Sequence, residues 1–339
     1  HGLVGESGSG KSVTARSIMR LLDGAEVSAD RFDYRGEDLY AKSEAEMRRI
    51  RGDEIAMVFQ DALSALNPVM TVGEQIAEVV RHHGDVDESA GLLSELRRKY
   101  VTGTNESAPS WRRAVDLLET VGIPDPEEIA TSYPHQLSGG QRQRVMIASA
   151  LGGDPSLIVA DEPTTALDVT VEAGILDELR RLCDEFDVAI LLITHDLGVV
   201  AETCDHVTVM YSGSVMERGT TEGLFENPAH PYTKGLLRSI PEGAPSEDGP
   251  LATIPGSAPE PTERPAGCPF RDRCPAAFDA CSDPLPEHVV DGGEGHVARC
   301  HLYTEGDEPG EVTWETGATA NGEATDAADR TPATEVTDG

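Results

Sequence analysis

Residues 5–12 read Gly-Glu-Ser-Gly-Ser-Gly-Lys-Ser, which is the pattern G-x-x-x-x-G-K-S of a loop that holds phosphate groups. Three glycines, Gly5, Gly8 and Gly10, allow the backbone to close around an anion with its amides pointing inward at the start of a helix. Residues 13–22 follow with the apolar spacing of a helix. The stretch therefore predicts a strand, a phosphate-binding loop and a helix, which together form a unit of an α/β fold.

The composition narrows the class of protein. The chain has 339 residues, which suits about two domains, and its 61 acidic against 27 basic residues give a net charge of −34. Nucleic-acid backbones require a basic face, so nucleic acid is not expected as a partner. Four of the basic residues are Lys. An acidic, Lys-poor surface favours a halophilic protein, because high salt shortens the screening length to ~3 Å and weakens self-repulsion; an ordinary acidic protein is the alternative.

No apolar run reaches the ~18 residues of a membrane span, and no signal peptide is present, so the sequence predicts a soluble or peripheral protein. Residues 1–4 already have the character of the strand that feeds the phosphate-binding loop. We therefore expect the chain to be truncated at its N-terminus.

Two further stretches follow the loop in order. Residues 137–141 read Leu-Ser-Gly-Gly-Gln and open a predicted helix, and residues 157–162 read Leu-Ile-Val-Ala-Asp-Glu, an apolar strand that ends in two carboxylates. Residues 206–217 predict a hairpin that turns at Ser212 and Gly213, and residues 84–110 predict a charged surface insertion. Strands that alternate with helices favour a parallel sheet.

In this order the three motifs resemble those of the ATP-binding subunits of ABC transporters. The resemblance implies a P-loop NTPase with a RecA-like parallel sheet, a helical ABC subdomain that carries the signature motif at 137–141, and a small extension that contains cysteines. The regions expected are a RecA-like core at 1–60 and 154–226, the helical subdomain at 61–153, the extension at 227–304 and an acidic disordered tail at 305–339.

Roles for individual residues follow from the motifs and from the resemblance. Lys11 is expected to reach the β- and γ-phosphates, and Glu162 to deprotonate the attacking water. The predicted catalytic residues are Glu162, His195 and Gln60. The predicted ATP-binding residues are Gly5, Ser7, Gly8, Gly10, Lys11, Ser12, Ser138, Gly139, Gly140, Gln141 and Asp168. The predicted Mg²⁺ ligands are Ser12, Gln60 and Asp161.

In ABC ATPases the signature segment completes the ATP site of the opposite subunit in a head-to-tail dimer. The resemblance therefore implies that Ser138 and Gly140 contact a γ-phosphate bound by a second ABC ATPase subunit. Residues 166–168, Ala-Leu-Asp, match the loop that meets this subunit. A heterodimer is favoured, because the family usually pairs two different ATPases.

Several stretches are similar to those of the oligopeptide and dipeptide importers, namely residues 59–61, 63–68, 227–233 and 254–256, with Ala62 where that group usually has Pro. The resemblance implies an ATPase at the cytoplasmic face of the cell membrane, peripheral to it, that energises peptide import with two transmembrane permease subunits and an extracytoplasmic peptide-binding protein. Nickel, glutathione or another small solute as cargo, a soluble non-transport ABC ATPase, and a redox- or metal-sensing module stay as alternatives.

The extension carries four cysteines, separated by five, six and eighteen residues: Cys268, Cys274, Cys281 and Cys300. Disulfides are disfavoured in the cytosol, and structural zinc usually brings closely spaced pairs, which are absent here. Four thiolates with looser spacing fit a [4Fe-4S] cluster, and the importer resemblance points the same way. Zn²⁺ and reduced thiols stay as alternatives. The predicted role is structural, because the extension has few large apolar residues.

Overall fold

The computed structural model describes residues 1–22, 24–84, 108–165, 167–240, 254–259, 266–290 and 295–303. The acidic tail predicted at 305–339, Ala166 and nearly all of the insertion predicted at 84–110 lie outside these residues.

One mixed sheet organises the described residues, in the order β4-β5-β6-β1-β7-β8-β10-β9. Its strands from β4 to β7 run parallel, and β8, β10 and β9 are added antiparallel. β2 and β3 form a separate hairpin. The strands are β1 Gly2–Val4, β2 Asp33–Tyr34, β3 Glu37–Asp38, β4 Ile55–Val58, β5 Leu157–Asp161, β6 Ala189–Thr194, β7 His206–Tyr211, β8 Ser214–Thr220, β9 His288–Val289 and β10 Val297–Ala298.

Helices cover the sheet, as expected for parallel strands that are joined by crossover connections. Along the described ranges, no helix is both long enough and apolar enough to cross a membrane. The helices are α1 Lys11–Ile18, α2 Glu44–Asp53, α3 Ala62–Ala65, α4 Val72–His83, α5 Pro109–Thr120, α6 Pro126–Thr131, α7 Gly139–Leu151, α8 Val169–Phe186, α9 Leu197–Thr203, α10 Thr221–Glu226 and α11 Pro231–Arg238.

The parallel strands place the predicted motifs at one edge of the sheet. The phosphate-binding loop follows β1, Glu162 follows β5 and His195 follows β6. Neighbouring parallel strands present their carboxyl ends at the same edge, which is where ligands bind in open α/β sheets. The predicted α/β fold is confirmed, and so is the hairpin, which turns through Ser212 at φ 44° and Gly213 at φ 74°.

The helices that lie between β4 and β5 in sequence pack mainly against one another. α4 contacts α5 and α6, and α5 contacts α7. Their apolar faces meet in a core in which Ile76, Leu117, Leu118 and Ile147 are fully buried. Three- and four-residue apolar spacing produces such faces, as the sequence pattern predicted for this region.

The extension joins the main sheet, which sequence patterns did not predict. In β10, Val297 pairs with Arg218 and Ala298 pairs with Glu217 of β8. Glu217 is fully buried and lies 2.8 Å from Nε2 of His296, which belongs to the extension. The cysteine-bearing segment is therefore packed on the same sheet that carries the phosphate-binding loop.

Candidate nucleotide-binding site

The loop at residues 5–12 has the backbone shape that its glycines allow. Gly10 caps α1 at φ 98°, and Gly8 lies at the exposed tip at φ 80° beside the exposed Ser7. A Cβ on Gly5 would lie 2.1 Å from the carbonyl oxygen of Met210, so no larger residue fits there. The loop leads directly into the positive N-terminus of α1, which is a favourable place for phosphate.

Lys11 lies inside the loop rather than in solvent. It is 5% exposed, and its Nζ donates hydrogen bonds to the carbonyl oxygens of Gly5 at 2.7 Å and Glu6 at 3.1 Å. Burial lowers the pKa of Lys11, and the nearby carboxylates of Glu162 and Asp161 oppose that shift. The ammonium group is thus held over the cradle by carbonyls that phosphate oxygens can replace.

Ser12 and Asp161 form the part of the site that fits a divalent cation. Ser12 Oγ donates to Asp161 Oδ1 at 2.8 Å, and Asp161 is 2% exposed at the end of β5. Burial raises the pKa of Asp161, while the hydrogen bond from Ser12 lowers it. A hydroxyl and a buried carboxylate side by side are the hard oxygen ligands that Mg²⁺ prefers alongside phosphate.

Glu162 contacts several of the side chains at the carboxyl ends of the parallel strands. Its backbone is in the left-handed region at φ 47°, and its amide donates to the carbonyl of Ile193 at 2.9 Å. Its Oε2 accepts from Gln60 Nε2 at 2.8 Å and from Thr165 Oγ1 at 2.9 Å, while His195 Nδ1 lies 3.6 Å from Oε1. The structure therefore brings the three predicted catalytic residues together.

Thr165 is a site residue that sequence reasoning missed. It is three positions after Glu162 and its hydroxyl fixes the same carboxylate oxygen as Gln60. A turn that follows a strand often folds a Ser or Thr hydroxyl back onto a nearby acceptor, but this signal does not indicate which acceptor. Gln60 was predicted as a Mg²⁺ ligand; the structure places its amide nitrogen on Glu162, and the metal role is a prediction only.

The signature motif forms a reciprocal cap on α7. Ser138 Oγ accepts from the amide of Gln141 at 3.3 Å, and Gln141 Oε1 accepts from the amide of Ser138 at 2.9 Å. A Cβ on Gly140 would lie 2.6 Å from Val171 Cγ1, and one on Gly139 would lie 3.2 Å from a Leu167 methyl. A side chain at Gly140 would therefore force Val171 to shift, and one at Gly139 would fit tightly against Leu167.

Asp168 begins the helix that packs on the signature. Its Oδ1 accepts from the amide of Val171 at 3.0 Å, so in this structure it caps α8. A cleft of about 350 Å³ separates the signature from the edge of the sheet, and Gly139, Arg142, Gln60 and Thr165 are among its lining residues. The predicted signature and Gln60 thus face a shared space.

The four cysteines of the extension lie together. Three of them, Cys268, Cys281 and Cys300, are buried, and the amide of Cys268 donates to the carbonyl of Cys281 at 2.9 Å. Burial raises the pKa of Cys268 and Cys274 to about 11 and that of Cys300 to about 12, with the neighbouring thiols adding to each shift.

The prediction of a metal centre gains no support from this placement. Among the described residues, no group of three or more His, Cys, Asp or Glu side chains is arranged to hold a metal ion. A raised pKa favours the protonated thiol, whereas metals bind the thiolate. The cysteines are therefore clustered and desolvated, but they do not form a ready ligand set for a [4Fe-4S] cluster or for Zn²⁺.

Two family models match the chain. The model described as ABC transporter matches residues 1–165, and the model described as oligopeptide/dipeptide transporter, C-terminal region, matches residues 216–281. The second match covers the end of the nucleotide fold and three of the four clustered cysteines.

Curated relatives are similar along most of the chain. The oligopeptide transport ATP-binding protein AppD of Bacillus subtilis is 46% identical over 305 residues, which cover 89% of this chain and 87% of AppD. The dipeptide transport ATP-binding protein DppD of Escherichia coli is 45% identical over 303 residues, which cover 88% of this chain and 86% of DppD.

Solved cassettes have the same fold. The dimeric post-hydrolysis state of the ATP-binding cassette MJ0796, bound to ADP and Pi, aligns with a TM-score of 0.50 and 28% identity over 65% of this chain and 84% of that one. CbiO1 of Clostridium perfringens, part of an ABC transporter complex, aligns with a TM-score of 0.52 and 26% identity over 67% of this chain and 78% of its own. On the strength of the relatives AppD and DppD and both family models, the chain belongs to the oligopeptide/dipeptide importer family of ABC transporter ATP-binding subunits.

Proposed function

We propose that the chain hydrolyses ATP to energise the import of peptides through a membrane permease. The observation that carries the chemistry is the fixed carboxylate of Glu162, which Gln60 and Thr165 hold at the edge that also presents the phosphate-binding loop. The names of the relatives AppD and DppD support oligopeptides or dipeptides as the cargo class.

The binding of ATP would begin when Lys11 exchanges backbone carbonyl oxygens for phosphate oxygens. Lys11 Nζ would leave the carbonyls of Gly5 and Glu6 for the β- and γ-phosphate oxygens, while the amides at the start of α1 hold the same groups. Mg²⁺, when bound, neutralises charge on the β- and γ-phosphates. Ser12 Oγ and the Asp161 carboxylate are the chain's own ligands for it, since they already meet at 2.8 Å.

Hydrolysis then uses the carboxylate oxygen that the two neighbours leave available. Gln60 and Thr165 both bond to Oε2 of Glu162, so Oε1 is the atom that would accept the proton of the attacking water. The water oxygen bonds to the γ-phosphorus, the bond to the bridging oxygen of ADP breaks, and ADP and phosphate are released. His195 is 63% exposed at its side chain, which leaves it able to turn toward the γ-phosphate.

A groove beside Gln60 supports the permease as a partner. It has a volume of about 460 Å³, lies between β4 and the helices α3, α4 and α7, and its lining includes Phe59, Leu66, Met70 and Val79. Phe59 is 39% exposed there. A permease segment seated in this groove would place the subunit at the cytoplasmic face of the membrane, where it would contact Phe59, the residue before Gln60.

A second ATPase completes the proposal. Ser138 and Gly140 stand at the start of α7, and an opposing subunit would present its γ-phosphate to this helix N-terminus. The dimeric form of MJ0796 supports such an assembly. The same proposal includes a paralogous partner and an extracytoplasmic peptide-binding protein. It also includes the division of the chain into a RecA-like core, a helical subdomain and an extension.

Two finer properties are also proposed. The net charge of −34 with four Lys supports a halophilic protein. The loose sequence spacing of Cys268, Cys274, Cys281 and Cys300 is the ground for the second proposal, a [4Fe-4S] cluster with Zn²⁺ as the alternative. The thiols would have to lose their protons and rearrange on binding.

The test of the transport function is co-purification of the full-length protein from native membranes at high salt, followed by mass spectrometry. Recovery of two permeases, a second ATPase and a peptide-binding protein is expected. Recovery of the protein without any permease, together with ribosomal, repair or redox partners, would overturn the transport role and leave the ATPase chemistry intact.

A further inference from the structure

The phosphate-binding loop contains a carboxylate of its own. Glu6 follows Gly5 in the loop, its side chain is 28% exposed, and its backbone carbonyl accepts from Lys11. Burial lowers the pKa of Lys11, and the charge of Glu6 is one of three carboxylate charges that oppose this shift, so Glu6 and Lys11 interact electrostatically. A negative charge here would repel the phosphates of ATP and compete for the ammonium group that has to bind them.

The extension supplies the counter-charge. Arg273, 267 positions away in sequence, donates from Nη1 to Glu6 Oε2 at 2.7 Å and from Nη2 to Glu6 Oε1 at 3.1 Å. The Arg273 side chain is 9% exposed. A partly buried, bidentate pair of this kind is shorter, stronger and less screened by salt than a fully exposed ion pair.

The guanidinium group has little freedom to leave Glu6. Its Nε donates to the carbonyl of Pro255 at 2.8 Å, and Nη1 also donates to the hydroxyl of Tyr211 at 3.1 Å. Its carbon lies 5.6 Å from the centroid of the Tyr211 ring. The backbone of Glu6 is held as well, because its amide donates to the hydroxyl of Tyr232 at 2.9 Å.

We propose that Arg273 is a positioning residue of the ATP site, which neutralises Glu6 and fixes its carboxylate on the extension so that Lys11 and the loop amides are available to phosphate. The inference rests on the ATPase function proposed above and deepens it. In this view the cysteine-bearing extension sets the affinity for nucleotide through Arg273, which directly precedes Cys274.

The test uses the opposite charges of Arg273 and Glu6. Arg273→Leu removes the counter-charge and leaves Glu6 unpaired beside the phosphates, so we expect the Kd for a fluorescent ATP analogue with Mg²⁺ to rise about tenfold. Turnover at saturating ATP is expected to change much less, giving a KM effect rather than a kcat effect. Adding Glu6→Gln removes the repulsion and should return Kd to within about threefold of the wild-type value.

Arg271→Ala is the matched control. Arg271 lies in the same turn, but its partners are Asp272, Ser282 and the carbonyl of Ala266, all outside the loop. Its loss should leave Kd unchanged. A role for Arg273 that is only structural predicts instead that Arg273→Leu lowers the melting temperature without a selective change in Kd, and that Glu6→Gln gives no recovery; either result would overturn the inference.

Two further variants apply if Arg273→Leu does not fold. Arg273→Lys keeps the charge and loses the fork, so Kd should stay within about threefold of wild type. Glu6→Gln alone leaves the cation in place and should not weaken nucleotide binding; weaker binding contradicts the inference. Absence of nucleotide binding by the wild-type chain would instead remove the proposed ATPase function, so the two failures can be told apart.

Discussion

Ser12 Oγ lies 2.8 Å from Asp161 Oδ1, although the two residues are 149 positions apart in the chain. The hydrogen bond joins the first turn of α1 to the end of β5. It brings the phosphate-binding loop and the carboxylate motif side by side. Substitutions at this edge of the sheet should therefore affect ATP binding, ATP hydrolysis and folding stability to different degrees.

Glu162→Gln is expected to abolish turnover and preserve ATP binding. Glutamine keeps the shape and can still accept from Thr165, but it cannot take a proton from water. Loss of a general base costs roughly 10²–10⁴-fold in rate, so phosphate release should fall by at least about a hundredfold with little change in Kd. Glu185→Gln on the exposed side of α8 is the control and should behave as wild type. Persistent turnover in Glu162→Gln would assign the base elsewhere.

Thr165→Val should slow hydrolysis without weakening ATP binding. The hydroxyl bond of 2.9 Å to Glu162 Oε2 is lost, and Gln60 becomes the remaining partner shown on that oxygen. We expect kcat to fall about tenfold, consistent with the loss of one hydrogen bond to a charged group. Thr165→Ser keeps the hydroxyl and should restore most of the rate. Equal activity of the Val and Ser variants would show that the bond does not position Glu162.

Asp161→Asn should stabilise the nucleotide-free protein and abolish hydrolysis. Burial raises the pKa of Asp161, so the folded state disfavours the carboxylate, and the stability linked to this group is lost as the pH rises through the folded pKa. The variant should therefore have the higher melting temperature at pH 7. The difference should shrink as the pH falls toward the ordinary value of about 4, where the wild-type group is protonated. A lower melting temperature at pH 7 would contradict the reasoning.

Gly140→Ala should destabilise the fold through Val171. The added Cβ would lie 2.6 Å from Val171 Cγ1, and overpacking of this kind costs about 1–3 kcal/mol. Thermal unfolding of the single variant should show the loss. Val171→Ala makes room, so the double variant should regain stability. If the double variant is no more stable than Gly140→Ala, the clash is not the cause.

Metal analysis of anaerobically prepared protein tests the cysteine proposal. Iron and acid-labile sulfide near four atoms of each per chain are expected for a [4Fe-4S] cluster. Cys183→Ser, which changes a cysteine outside the extension, should leave the content unchanged, whereas Cys281→Ser should reduce it. Equimolar zinc without iron would exclude the cluster, and absence of both metals would contradict the metal proposal, in line with the raised pKa of the Cys268, Cys274 and Cys300 thiols.

The nucleotide edge could be predicted because its determinants are local. A phosphate-binding loop needs glycines at fixed spacing, and Glu162 and His195 each follow an apolar strand, so their meeting follows from parallel order. Their distances were not predictable. Thr165 escaped notice because a single threonine in a turn has many possible partners.

The contacts between the extension and the rest of the chain could not be predicted in the same way. The pairing of β10 with β8 involves two residues on each strand, which is too short for a pattern in sequence to reveal. The pair of Arg273 and Glu6 spans 267 positions, and nothing in either segment indicates the other. The spacing of the four cysteines favoured a shared site, yet it did not reveal that burial would raise the pKa of the Cys268, Cys274 and Cys300 thiols.

The pairing of β10 with β8 has a consequence for solubility. β10 covers the middle of β8 at Glu217 and Arg218, and without it the amides and carbonyls there would be open to pairing with another molecule. Removal of the extension would also leave Glu217 buried without His296. The extension thus shields part of the β8 edge from edge-to-edge aggregation. A chain truncated before the extension is therefore expected to precipitate, which would prevent a measurement of its transport activity.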